Sequence, residues 1–277
     1  GTVNVATGRT LTVSGGGFDH NGGSLGGGGA LTLNSVTAAF NSPGALSLSA
    51  LALNSSTATL GISLSTGTTD LSVFSSTVNG PGSLTNAVGK TLELRSSTVN
   101  APLVNQGLLL VRGTSFLNGA LTTVAGSTLR IEGNSSVTAM GVLIVANGFT
   151  NNGTVELTDV GAGYGARLDV TSGTLVNAAG HAIDALAGAG GPRTLNAELD
   201  NQGTLTVGAS PYALVMSRAN SAHQNSGTLE VSGGDLVLSQ SGTPASFTNT
   251  GTVNVATGRT LTVSGGGFNN DVNGALR

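Results

Sequence analysis

A short pattern, L-x-[LV] followed by a run of small polar residues, recurs along this chain at a nearly constant spacing. It reads LTVSGGG from Leu11, LTLNSVT from Leu31, LALNSST from Leu51, LSVFSST from Leu71 and LELRSST from Leu92, with steps of 20, 20, 20 and 21 residues. Each copy alternates apolar and polar residues, the period of a strand with one buried face. A unit this short cannot bury its apolar face alone, but stacked units can.

A second frame, N-x-G-[TL]-[LV]-x-[VL], marks the later chain. It occurs as NQGLLLV from Asn105, NNGTVEL from Asn151, NQGTLTV from Asn201, NSGTLEV from Asn225 and NTGTVNV from Asn249. Its steps of 46, 50, 24 and 24 fit coils of 23 to 25 residues, with two steps covering two coils each. STLRIEGNSS from Ser127 and SGTLVNAAG from Ser172 are the degenerate coils between. No stretch has helical periodicity with caps, and Thr, Val, Ser and Gly disfavour helix. The pattern predicts an all-β chain: a right-handed parallel β-helix of about twelve coils of 20–25 residues, because parallel crossovers are right-handed by default. Inward stacks are expected at Leu205, Leu229 and Val253, and at Val207, Val231 and Val255. Asn105, Asn151, Asn201, Asn225 and Asn249 are expected to form hydrogen-bonded ladders at a corner. The Gly two residues after each Asn is expected to supply a backbone angle that other residues resist. Leu103, Phe149, Leu199, His223 and Phe247, two residues before each Asn, read as an inward column, with His223 a partly buried packing residue.

The eighteen residues GTVNVATGRTLTVSGGGF fill both 1–18 and 251–268. An identity of that length predicts a duplicated unit of 250 residues. The chain starts at Gly1 without a Met or a signal peptide, so residues 1–277 are expected to be a single β-solenoid cut from a longer tandem array. Both ends read as full-strength coils without caps, which predicts end-to-end self-association.

Composition narrows the function. Charged residues are 8% of the chain and the net charge is −3, leaving no electrostatic footprint for nucleic acid or an anionic membrane. No apolar run is long enough for a membrane span. The chain has no Cys, which removes disulfides, thiol catalysis and thiolate metal sites.

In its N-x-G-[TL]-[LV]-x-V coils, the chain resembles the parallel β-helix stalks of large bacterial surface proteins, the filamentous-haemagglutinin-like adhesins and autotransporter passengers. That resemblance covers nearly the whole chain. It implies secretion to the extracellular space or cell surface and a role in adhesion or surface structure. It assigns no functional residue.

Several constellations invite chemistry. A glycosidase needs two carboxylates about 5–10 Å apart in a cleft. Glu93, Glu156 and Glu230 each sit between two inward residues and so point outward, with Arg130 placed to pair with Glu156. Glu156, Asp159 and Asp169 form the one acidic group near a loop. His20, His181 and His223 lack metal-ligand spacing, so no metal and no cofactor is expected. VGAGYGAR (160–167) and ALAGAGGPR (185–193) are Gly-rich insertions, and ASPYALVMSRANSAH from Ala209 is a milder one. Insertions in solenoids bulge on one face. Tyr164, Arg167, Arg193, Tyr212 and Arg218 are therefore the binding candidates, suited to stacking on surface glycans. Thr37, Thr57, Thr77 and Thr98 occupy one column, read as a stack inside or beside the sheet rather than an ice-binding face. The expected function is a non-enzymatic rigid shaft with adhesive loops. A glycan-binding or glycan-cleaving module and an ice-binding solenoid are the alternatives.

Overall fold

The computed structural model describes all residues except Pro43, Thr138, Ala162, Ala209 and Ser210. Ala162 and the first two residues of the stretch from Ala209 thus lie outside the described residues. No helix occurs among the described residues, so none is long and apolar enough to cross a membrane. The named strands pair in parallel throughout, as a β-solenoid, and the chain counts about twelve turns. It divides into two compact units, Gly1–Thr128 and Leu129–Arg277.

Each complete coil of unit 1 contributes strands to three faces. The first face runs from Thr10–Ser14 through Ala30–Asn34, Ala50–Asn54, Asp70–Phe74 and Thr91–Arg95 to Leu108–Arg112. Its register keeps the repeated leucines in line: Leu11, Leu31, Leu51, Leu71, Leu92 and Leu109 are successive partners. From Leu31 to Leu109 these are buried, and full burial of such a side chain stabilises by about 1.5–3 kcal/mol. The second face starts at Gly17–His20, and the third includes Leu84–Asn86, Leu103–Asn105 and Leu121–Thr123.

The corners after the four middle strands of the first face are built by serine, and those after the first and last by Gly15 and Gly113. Ser35, Ser55, Ser75 and Ser96 have φ of 53°, 48°, 47° and 50°, the left-handed turn. The next serine points inward and links coils. Val36 N–H donates to Ser56 Oγ (3.0 Å), Ser56 N–H to Ser76 Oγ (2.9 Å) and Ser76 N–H to Ser97 Oγ (3.1 Å). Ser56 Oγ in turn donates to the Leu33 carbonyl at 3.1 Å. The small polar run is thus a hydrogen-bonded column.

Unit 2 has the same plan with longer strands. Ala166–Asn177 and Arg193–Asn201 each serve two faces, pairing with Gly141–Val145 or Leu214–Met216 at one end and with Phe149–Asn151 or Ala222–Asn225 at the other. Leu205, Leu229 and Val253 are register partners, as are Val207, Val231 and Val255. All are buried except Val255, which is half-buried.

The corner asparagines of unit 2 bond in one line. Nδ2 of Asn151 donates to Oδ1 of Asn177 (2.9 Å), and Asn177 to Asn201, Asn201 to Asn225, Asn225 to Asn249 and Asn249 to Asn270, each at 2.7 Å. Asn151 to Asn249 are 0–1% exposed. In unit 1, Asn86 donates to Asn105 (2.8 Å), and Thr123 takes the next place in that column. Asn86, Asn177 and Asn270 had no place in the sequence pattern, because no N-x-G follows them.

The glycine of the N-x-G turn has a different reason from the expected one. Gly107, Gly203, Gly227 and Gly251 do not have positive φ. They are needed for space: a Cβ on Gly227 would lie 2.1 Å from the Gly203 carbonyl oxygen, and one on Gly251 2.2 Å from that of Gly227. Stacked turns pack backbone on backbone there, and any side chain would separate the coils.

Candidate functional site

The Gly-rich insertions of unit 2 stack at one corner. Ala166 pairs with Arg193, and Ala166 N–H donates to the Pro192 carbonyl at 2.9 Å. A Cβ on Gly191 would come within 2.3 Å of the Tyr164 carbonyl, and one on Gly190 would touch Pro211. Tyr164 and Tyr212 therefore lie along one edge, two coils apart with the Gly190–Gly191 loop between them, Tyr164 half-buried and Tyr212 51% exposed.

Arg193 was expected on that exposed face, and its position corrects this. It is 1% exposed and sits beneath the loop. Its Nη2 donates to Asp159 Oδ1 (2.6 Å) and the Ala187 carbonyl (3.0 Å), its Nε to the carbonyls of Leu157 (3.1 Å) and Leu186 (3.2 Å), and its Nη1 to that of Gly191. Asp159, 2% exposed, also accepts from the N–H groups of Gly190 (3.0 Å) and Gly191 (3.1 Å). The carbonyls of a tight glycine loop converge on one point, and a guanidinium with its fork of donors satisfies several of them. Arg193 shapes the loop from below and presents nothing to a ligand.

Arg218 also turns to backbone. It donates to the carbonyls of Val170, Thr171 (3.0 Å) and Gly173 (3.3 Å), where the register of strand Ala166–Asn177 shifts between Asp169 and Thr174. Arg167 points outward and pairs with Asp169 at 2.6 Å. The acidic group of Glu156, Asp159 and Asp169 is thus distributed over three ion pairs, Glu156 pairing with Arg130 at 2.5 Å. Asp184, the register partner of Glu156, has its pKa raised by burial; a hydrogen bond from Thr206 lowers it and the Glu156 charge raises it. Among the described residues, no group of three or more His, Cys, Asp or Glu could hold a metal.

His223 is 2% exposed in the inward column, its ring 6.4 Å from that of Phe247, and its Nδ1 accepts from Leu199 N–H at 3.2 Å. Burial lowers its pKa to about 4; Arg218 adds to this and Glu198 opposes it. The unfolded chain therefore binds more protons between the ordinary pKa of 6.5 and about 4. The stabilisation from a neutral His223 is complete above that window and is lost as pH falls through it, by about 3 kcal/mol in all. Denaturation midpoints between pH 7 and pH 4 should fall with this slope, and His223→Phe should flatten it. An unchanged slope in the variant would refute the assignment.

Unit 1 holds a cluster that the sequence reading passed over. In the repeated L-x-[LV]-x frame, the final outward position is Ser14, Asn34, Asn54, Phe74, Arg95 and Arg112 in successive coils. Phe74 is 39% exposed, and the Arg95 guanidinium carbon lies 4.7 Å from its ring centroid, a cation–π contact. Arg112 pairs with Glu93 at 3.0 Å, and Asp70 accepts from Thr91 N–H at 2.9 Å. A shallow depression of about 190 Å³ lies among Asn54, Ser72, Phe74, Glu93 and Arg95. The signal was in the sequence, as one aromatic and two arginines in a column otherwise of Ser and Asn.

The threonine column is a stack in register, on the outside of the sheet and not within it, with Thr37, Thr57, Thr77 and Thr98 exposed or half-exposed. The neighbouring outward positions, Ala39, Thr59 and Asn79, are mixed, so no second threonine rank accompanies the first.

The fold thus places the chain in the class of parallel β-solenoids. Comparison with protein-family models, curated proteins and solved structures returns no match.

Proposed function

We propose that this chain is a non-enzymatic, rigid segment of a long repetitive bacterial protein, carried at the cell surface or outside the cell and related in plan to adhesin and autotransporter stalks. The observation that carries this reading is the unit 2 asparagine line, in which each buried amide bonds to the next coil. Such a column resists bending and needs no ligand. The low charge and the lack of Cys are compatible with an extracellular shaft. Glycan cleavage would need an acid of raised pKa beside an ionised one, and Asp184 with Glu156 comes nearest to that. Incubation with soluble polysaccharides is expected to release no reducing ends. Release that disappears in Glu156→Gln or Asp184→Asn would overturn the non-enzymatic reading.

A second reading, glycan contact along the shaft, draws support from the Phe74–Arg95 cluster. Its two acids and two arginines balance in charge, which suits the hydroxyls of a neutral sugar. On this reading, hexasaccharides of glucose or mannose bind weakly, and Phe74→Ala weakens them about tenfold, since an aromatic contact of this kind is worth roughly 1 kcal/mol or more. Titration followed by NMR reads this directly. Binding that ignores Phe74→Ala places any glycan site elsewhere.

A further inference from the structure

Residues 1–18 and 251–268 have one sequence and two sets of neighbours. In unit 2 the segment lies on the preceding coil: Leu229 pairs with Val253, Leu236 with Leu261, Leu238 with Val263, and Phe247 with Phe268. On its other face, strand pairing is confined to Ala275 and Leu276, opposite Thr252 and Val253. Val253, Leu261, Val263, Phe268 and Leu276 line an open apolar hollow there. In unit 1 the same segment has its other face seated: Val3 pairs with Leu25, Leu11 with Leu31, Val13 with Leu33, and Phe18 with Ala38. Each occurrence shows the face that the other covers.

Exposure follows the missing neighbour. Val253, with Leu229 on one side and Leu276 on the other, is 1% exposed, whereas Val3, with Leu25 alone, is 38% exposed. Leu11 and Val263, each lacking a partner on opposite faces, are also 38% exposed. Because the sequences are identical, the coil that fits under 251–268 fits under 1–18.

We propose that successive copies of the 250-residue unit share this segment as a seam, so that the coil equivalent to 228–249 of one copy packs beneath residues 1–18 of the next. The occupant of that face is a second copy of this chain's own unit. The register runs Leu229–Val3–Leu25, Leu236–Leu11–Leu31, Leu238–Val13–Leu33 and Phe247–Phe18–Ala38. Phe18 then takes the place of Phe268, whose ring stacks on Phe247 at 5.4 Å and 6°. The asparagine line reaches the seam at Asn249, which donates to Asn270. The position equivalent to Asn270 is His20, just past the identical segment. Burial lowers the His20 pKa, and a neutral imidazole keeps a nitrogen that accepts the Asn249 amide. The inference rests on the shaft reading and adds that the shaft is continuous across copies.

The test is a chain in which residues 1–250 precede the full 1–277. Hydrogen exchange of the seam amides is expected to be about 100-fold slower or more than that of residues 1–18 in the single chain, as for interior strands. Equal rates would overturn the seam. The register has its own test, clean because the protein has no Cys. Thr228→Cys in the first copy and Thr2→Cys in the second should form a disulfide, as Cα partners in adjacent strands can. Thr228→Cys with Thr10→Cys should not. Cross-linking of the second pair alone would refute the register. Polysaccharide cleavage would overturn the non-enzymatic reading and leave the seam standing, whereas a fast-exchanging seam would leave a shaft of separate, jointed units.

Discussion

Arg193→Ala should destabilise unit 2 by about 3–5 kcal/mol, the usual cost of removing one partner from a buried ion pair. The size follows from what stays behind. Asp159 would be left at 2% exposure without its countercharge, with only the Gly190 and Gly191 N–H groups as donors. The carbonyls of Leu157, Leu186, Ala187 and Gly191 would lose a donor together. Urea denaturation followed by circular dichroism gives the loss, and exchange of the Gly190 and Gly191 amides locates it. Arg167→Ala is the control. Its pair with Asp169 is 43% exposed on the arginine side, so its removal should cost less than about 1 kcal/mol. Equal effects from the two variants would show that Arg193 is no more than a surface charge. Arg193→Met combined with Asp159→Leu removes the stranded charge but should recover only part of the stability, because the four carbonyls and the Gly190 and Gly191 N–H groups still lack partners.

Asn225→Ala should cost about 2–4 kcal/mol, from several buried polar groups orphaned at roughly 1–3 kcal/mol each. Asn225 Nδ2 donates to Asn249 Oδ1 and to the Thr252 carbonyl (3.2 Å), and its Oδ1 accepts from Asn201. Asn201 keeps its bond to the Thr228 carbonyl, so the damage falls mainly on the side of Asn249. Asn225→Asp should be worse than Ala, since a carboxylate has no donor for Asn249 and would be buried without a countercharge. Asn100, in the exposed line from Asn79 to Asn118, is the contrast: water replaces its partners, and Asn100→Ala should cost little. A loss at Asn225 no larger than at Asn100 would remove the buried line as a source of rigidity.

How much of this was legible beforehand depended on how local the cause was. The pairing of Leu31 with Leu51 and Leu71 followed from spacing, because parallel strands at a constant step can stack in only one register that buries one face. The line through Asn201, Asn225 and Asn249 followed in the same way. Asn177 escaped because its coil lacks the N-x-G turn, and the polarity of a corner is a property of the stack rather than of one coil. The glycines after these asparagines were read as angle-setters. Their cause is the carbonyl of the next turn, which no single coil contains.

The candidate site was the least legible part. Tyr164 and Tyr212 were placed at insertions because insertions bulge, a local rule, and they do share an edge. Arg193 read the same from sequence, yet its burial depends on Asp159, 34 residues away, and on four carbonyls that converge only when the loop closes. Phe74 and Arg95 were visible as departures from a column of Ser and Asn, but their contact exists because neighbouring coils bring them side by side. Periodicity and turn chemistry by themselves determined the class of fold, the coil length and the inward stacks, since these repeat every 20 to 25 residues and act within one coil and its neighbour. Tertiary structure alone decided which polar groups are buried, which glycines are steric and which arginines face solvent, because those outcomes depend on desolvation and close packing among residues that sequence distance does not relate.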